Sequence, residues 1–200
     1  MSLTIYGVSA SRAIRTLWAA EELGLDYKHE PVDFTGGSRK PEFLKINPNG
    51  HIPAIDDDGV VIWESLACNL YLARKHGGGL WPGNIADEGR ALQWSFWAMT
   101  EAEKPLLTLL LNKFMPEGGP SEAEVTAARE EVNVPLAVLN NALAGRDYLL
   151  GSDFTIADLN VASVLLWANM AGIDLSGYPD LAGWLARCAG RPALAAAQAK

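Results

Sequence analysis

Over the first eighty residues short apolar runs alternate with amphipathic stretches, and the rest of the chain carries an almost purely helical period. Leu3–Tyr6 reads as a short strand. Arg12–Leu25 places Ile14, Leu17, Trp18 and Leu25 at helical spacing, with Gly24 near the stop. Tyr27–Asp33 reads as a second strand, which Pro31 assigns to a sheet edge. Pro41–Ile46 reads as a short helix ended before Asn47-Pro48. Ile52–Asp56 and Val60–Trp63 flank Asp57-Asp58-Gly59, a hairpin signal. Ser65–His76 is helical, with Leu66, Leu70 and Tyr71 sharing a face. Further helices are predicted over Asp87–Met115, Ser121–Ala144, Thr155–Ala171 and Pro179–Cys188. Pro105 predicts a kink or break in the first of these, and Ser121-Glu-Ala-Glu124 has the pattern of a capping box.

The predicted order is thus β-α-β-α-β-β-α followed by helices alone. The Gly- and Pro-punctuated segment His76–Asn84 lies where the texture changes, as domain joints often do. We expect a first domain over residues 1–77, a linker over 78–86 and a helical domain over 87–200. The net charge of -8 divides unevenly: residues 1–80 hold 8 basic and 10 acidic side chains, residues 81–200 hold 8 and 14. Such acidity argues against nucleic acid and against anionic membranes, both of which select a positive surface. Two cysteines, Cys68 and Cys188, cannot build a disulfide framework or a four-thiolate zinc site. The longest apolar stretches, Pro105–Leu111 and Val161–Ile173, fall short of the roughly 20 residues that cross a bilayer. MSLTIYG lacks the pattern of a signal peptide, so a cytoplasmic location is expected; no metal is expected either.

Three segments have the composition of a site. In Tyr6-Gly7-Val8-Ser9-Ala10-Ser11-Arg12, small and hydroxyl residues lead a strand into a helix, whose N-terminus favours an anion. Ser11 there reads either as a helix cap or as a hydrogen-bond donor to that anion. Asn47-Pro-Asn-Gly-His51-Ile52-Pro53 enters a strand through two prolines and a glycine, a setting for an unusual backbone, although the residues alone predict a trans Ile52–Pro53 bond, since only roughly 5–6 % of such bonds are cis. Glu64 and Ser65 stand at a strand-to-helix junction, suited to capping or to gripping an ammonium and a carboxylate.

The order YG…SxSR…EELGL…NPNGHIPAI…WESLA…YLA, followed by an all-helical half, resembles the cytosolic glutathione S-transferases of bacterial, serine-type kind. Phe154-Thr155-Ile156-Ala157-Asp158 resembles the helix-capping motif of that family, where Thr155 and Asp158 cap reciprocally. The resemblance implies a thioredoxin-like N-terminal domain, a cis peptide bond before Pro53, and glutathione as co-substrate. It implies that Ile52 pairs with the tripeptide backbone, that Glu64 and Ser65 hold its γ-glutamyl end, and that His51 stands beside its glycyl carboxylate. It also implies an isologous homodimer.

Chemistry on this scaffold needs a thiolate. Lowering a thiol pKa of about 8.5 by about two units takes roughly 2.7 kcal/mol. One charge-assisted hydrogen bond plus a helix dipole is of that order. By the resemblance the donor is Ser11, with Ser9 second and Arg12 as a supporting charge; Tyr6 lies too early and Cys68 belongs to a helix interior. A hydrophobic electrophile is expected between the domains, against Val8, Ser9, Ala10, Trp97, Thr100, Glu101, Lys104, Leu107 and Trp167. Two other activities fit the same residues: glutathione-dependent peroxide or disulfide reduction, and glutathione binding without catalysis.

Overall fold

The computed structural model describes residues 2–115 and 117–200; Met1 and Pro116, which the expected spans 1–77 and 87–200 include, lie outside the described residues. The chain forms two compact units, one running through Trp81 and taking in Gly190–Lys200, the other Pro82–Ala189.

The first unit is built on β1 (Leu3–Tyr6), α1 (Ala13–Glu22), β2 (Lys28–Glu30), α2 (Pro41–Leu44), β3 (Ala54–Asp57), β4 (Val60–Trp63) and α3 (Ser65–His76). The expected βαβαββα order holds. The sheet order is β2-β1-β3-β4, with β2 parallel to β1 and the other neighbours antiparallel. β2 is an edge strand, as Pro31 implied, but it is three residues long because a proline offers no N–H to extend the ladder. The β3–β4 turn puts Asp58 at φ 52° and Gly59 at φ 89°, the left-handed pair that a tight hairpin with matching twist requires. Leu3 and Ile5 of β1 alternate inward and are buried, as are Leu17, Trp18, Ile55 and Leu72 of the same unit. A smaller cluster is formed by Phe43, Ile52 and Ala54, with Tyr6, Val8, Val32 and Ile46 packed against it.

The second unit holds α4 (Ile85–Trp97), α5 (Glu103–Phe114), α6 (Glu122–Glu131), α7 (Asn133–Leu143), α8 (Ile156–Ala171) and α9 (Pro179–Ala189). α8 is buried on every side from Ile156 to Leu165, as befits a central helix that is apolar all round. Two expected single helices are each two. Between α4 and α5 the backbone takes a π turn over Ala98–Ala102, just ahead of Pro105. The proline ring crowds the carbonyl four residues earlier and supplies no N–H, so the irregularity falls before the proline and not at it. The predicted helix Ser121–Ala144 breaks at Val132 for the same reason, with Pro135 in the first turn of α7. There Asn133 Nδ2 donates to the Arg129 carbonyl at 2.9 Å, replacing part of the lost ladder.

Both predicted capping boxes are present. Ser121 N–H donates to Glu124 at 2.8 Å, and Thr155 N–H and Oγ1 donate to Asp158 Oδ2 at 3.0 Å each. Asp158 also accepts from Leu149 N–H at 2.8 Å and Trp184 Nε1 at 2.9 Å, so one carboxylate joins α8, the loop before it and α9. Burial pushes its carboxyl above the ordinary range, against the pull of these donors.

The helical span expected to run to Lys200 ends at Ala189 as a compact unit. The Ala-rich tail forms α10 (Pro192–Gln198), which packs on α1 through buried Leu194 and Ala197. Arg191 anchors it: Nε and Nη2 reach the two oxygens of Glu22 at 2.5 and 2.7 Å, and Trp18 Nε1 donates to the same carboxylate at 2.9 Å. No described helix is long and apolar enough to cross a membrane.

Candidate active site

The three segments singled out in the sequence all lie in the first unit. The first leaves β1 through Gly7, whose φ of +130° brings the backbone against α1: a β-carbon there would stand 2.6 Å from Ala13 Cβ and 3.1 Å from Ile52 Cβ. Ser11 follows at the N-terminal end of α1. Its Oγ accepts Ala13 N–H at 3.1 Å and donates to the Val8 carbonyl at 2.7 Å. That carbonyl has a second donor, Ser11 N–H at 3.1 Å. The hydroxyl therefore does cap the helix, yet its proton can turn to another acceptor without stranding Val8. Ser9 is half-buried, and its hydroxyl has no hydrogen-bond partner among the described residues. Arg12 is half-buried and precedes the first residue of α1.

The second segment carries the expected cis bond, Ile52–Pro53. The β1–β3 ladder ends at Tyr6↔Ala54, so the Ile52 backbone lies just past the last paired residues. Asn47 builds the loop before it: its Nδ2 donates to His51 O at 2.7 Å, its Oδ1 accepts Asn49 N–H at 3.0 Å, and its carbonyl accepts Gly50 N–H at 2.9 Å. His51 is exposed. Arg39 Nη1 donates to Asn49 O at 2.9 Å, which brings a guanidinium to this loop. Reading the sequence passed over both Asn47 and Arg39. Asn47 had a local signal, since Asn before Pro favours a side-chain-closed turn; Arg39 had none, because a turn of chain separates it from the loop it joins.

The third segment sets Glu64 at φ 74°, ψ 114°, a conformation that L side chains rarely adopt. Glu64 is exposed and makes no side-chain cap to α3. Ser65 is buried at the first position of α3, next to N–H groups that the helix cannot itself satisfy. Arg15 Nη1 donates to Ser65 Oγ at 3.4 Å, and Thr16 Oγ1 donates to Ser65 O at the same distance. Arg15, 1 % exposed, is thus the basic residue of α1 that touches Ser65. The sequence reading passed over Arg15, having named Arg12 for a different role beside the sulfur; the signal for Arg15 was a cation set inside the largely apolar stretch from Ala13 to Ala20.

Tyr6 lies in β1 with its ring edge-on to Phe43 at 6.0 Å, and burial, followed by the charge of Asp56, raises its phenol pKa. Cys68 is wholly buried in α3; burial pushes its thiol to about 12 and Sγ donates to Ile62 O at 3.4 Å. It has the character of a core residue, not of a nucleophile. Of the residues expected to meet a second substrate, Val8 and Ala10 belong to the Ser11 turn, half-buried and exposed respectively. In the second unit, Trp97, Leu107 and Trp167 are half-buried, whereas Thr100, Glu101 and Lys104 are exposed. Among the described residues no group of three His, Cys, Asp or Glu side chains could hold a metal ion.

Residues 1–74 match the family "Glutathione S-transferase, N-terminal domain", and residues 98–192 match "Glutathione S-transferase, C-terminal domain". Glutathione S-transferase 3 of Zea mays is 34% identical over 96% of this chain and 90% of its own length. Glutathione S-transferase D7 of Drosophila melanogaster is 32% identical over 88% of this chain and 78% of its own. The glutathione-bound structure of the theta class glutathione S-transferase from Xanthomonas axonopodis pv. citri superposes with a TM-score of 0.89 at 31% identity, covering 99% of this chain and 97% of that one. With both domain families matched in order and the fold shared along the whole chain, the protein belongs to the glutathione S-transferase family.

Proposed function

We propose that the protein holds glutathione along its first unit and presents the tripeptide's sulfur as a thiolate for attack on a small hydrophobic electrophile. Glu64 takes the γ-glutamyl ammonium, and Ser65 with the N-terminus of α3 takes the γ-glutamyl carboxylate. The Ile52 backbone pairs with the cysteinyl segment as a short added strand. His51, with Arg39 beside its loop, faces the glycyl carboxylate. Ser11 donates to the sulfur, with Ser9 as the second candidate and Arg12 as supporting charge. The thiolate then forms a C–S bond while the leaving group departs with its electron pair. In the second unit Trp97, Leu107 and Trp167, with Thr100, Glu101 and Lys104 at their polar margin, are the proposed residues toward the electrophile, together with Val8 and Ala10 of the Ser11 turn.

One observation carries this reading. Ser11 Oγ already accepts a helix N-terminal N–H, and the carbonyl it donates to keeps another donor, so its proton is available where the α1 dipole favours an anion. Ser11→Ala is expected to cut turnover with chlorodinitrobenzene at least about tenfold, the loss of one charge-assisted hydrogen bond, while Ser9→Ala leaves it within about threefold. Full activity in Ser11→Ala would sink the assignment. Assaying a hydroperoxide and a mixed disulfide in parallel separates conjugation from reduction, and retention on immobilised glutathione without turnover would make the protein a binding module.

We also propose a homodimer acting in the cytoplasm. β4 leaves Val60, Val61 and Trp63 exposed on a sheet edge, and α4 leaves Leu92 and Phe96 exposed. Edge strands bearing apolar side chains are normally covered in a working protein. Sedimentation of a monomer at micromolar concentration would contradict this.

A further inference from the structure

We propose that His29 is a positioning residue for the thiol-activating turn, a role that rests on the Ser11 reading above. His29 lies on the edge strand β2, in register with Ile5. Its side chain reaches over the end of β1 and places Nε2 2.7 Å from the Gly7 carbonyl oxygen. A carbonyl only accepts, so Nε2 is the donor, in the neutral ring as in the imidazolium. The next residue of β2 holds the other side of the same glycine, with Gly7 N–H donating to Glu30 O at 2.9 Å.

Gly7 is where this grip has consequences. Its φ of +130° belongs to glycine's own part of conformational space, so the unaided chain has wide freedom there. The peptide that His29 holds joins Gly7 to Val8, and it is the Val8 carbonyl that accepts both Ser11 N–H and Ser11 Oγ. Tilting that peptide moves the acceptor that aims the Ser11 hydroxyl, whereas Glu64 and Ser65 stand on a different element. Loss of the His29 donor is therefore expected to impair sulfur activation far more than tripeptide binding.

The test is His29→Leu, which removes the donor, beside His29→Gln, whose amide N–H extends about as far as Nε2. His29→Asn, whose shorter amide reaches only the Nδ1 position, is the donor-loss variant should the leucine protein fail to fold. The ultraviolet absorbance of the bound thiolate is titrated in each, alongside kcat and KM for glutathione. Losing the donor should move the thiol titration up by about one pH unit and lower kcat about tenfold near neutrality, with KM changed less than about threefold. Amide exchange over residues 7–13 should quicken, and Gln should restore all of these. A purely structural role would lower the melting temperature without moving the titration, and that result overturns the proposal. If the wild-type protein itself shows no lowered thiol pKa, the Ser11 reading fails first and this inference with it. A lowered pKa that His29→Leu leaves untouched overturns the inference alone.

Discussion

Glu64 is the residue whose replacement should separate stability from function. Its φ of 74° and ψ of 114° put an L side chain in a sparsely populated region, at a cost of about 1–3 kcal/mol. The side chain makes no cap to α3, so trimming it loses no helix-terminal hydrogen bond. Glycine removes the β-carbon that creates the strain but adds about 0.5–1 kcal/mol of chain entropy to be lost on folding. The balance favours Glu64→Gly by about 1 kcal/mol, a rise of roughly 2–4 °C in melting temperature for a chain of this length. Glu64→Ala keeps the β-carbon and therefore the strain, so it should melt close to the wild type. Both variants lose the carboxylate and, on the proposed role, at least about tenfold in glutathione affinity, which is what a hydrogen bond to a charged group is worth. Scanning calorimetry gives the first comparison and titration calorimetry the second. If Glu64→Gly melts no higher than Glu64→Ala, the backbone strain is not there. If Glu64→Ala binds glutathione as well as the wild type, Glu64 does not hold the ligand.

The remaining predictions concern the scaffold. Asp158→Ala leaves the N–H groups of Leu149 and Thr155 and the Trp184 indole without their acceptor in a buried place. At about 1–3 kcal/mol per stranded donor, less the desolvation the carboxylate no longer suffers, we expect a loss of about 3–5 kcal/mol. A fall in melting temperature of under about 2 °C would refute that sum. Asp33 accepts from Thr35 Oγ1 and from the N–H groups of Thr35, Gly36 and Gly37. These hold its carboxyl well below the usual carboxylate range, the Thr35 hydroxyl foremost. A depressed folded value means that its contribution is complete above the ordinary Asp value of about 3.9 and is lost as pH falls from there toward the folded one. The protection of the amides at residues 35–37, their exchange taken relative to the intrinsic rate at each pH, should therefore fall only in acid, and in Asp33→Asn that acid dependence should vanish. Protection that falls equally in the variant would rule out Asp33 as the cause.

What the chain determined by itself was local. The Asp58-Gly59 turn needs two left-handed residues in a row, and that sequence supplies them. The box Ser121–Glu124 closes within one helical turn, so spacing alone sufficed to find it, whereas Thr155–Asp158 was reached through the resemblance of Phe154–Asp158 to the capping motif of the family. The order of the elements along the chain and the β2 edge were legible for the same reason, since their physics acts between near neighbours; the NPNGHIPAI and WESLA segments drew notice as unusual junctions, and their reading as a ligand site came from the resemblance. Pro105 interrupts its helix as predicted, through the carbonyl four residues back, whereas Pro135 divides what patterning read as one helix.

Only the tertiary structure decided the rest. Ser9 and Ser11 are nearly alike in hydroxyl chemistry and position along the chain; the folded turn after Gly7 gives Ser11 Oγ the Val8 carbonyl and the Ala13 N–H as partners, and the proposed preference for Ser11 rests on those bonds. Arg15 meets Ser65, His29 meets Gly7 and Arg191 meets Glu22 across 50, 22 and 169 positions of chain. No residue period encodes such meetings. They exist because burial of the sheet and helix faces fixes the path of the whole backbone, and a polar group brought inside by that path must find its partner there.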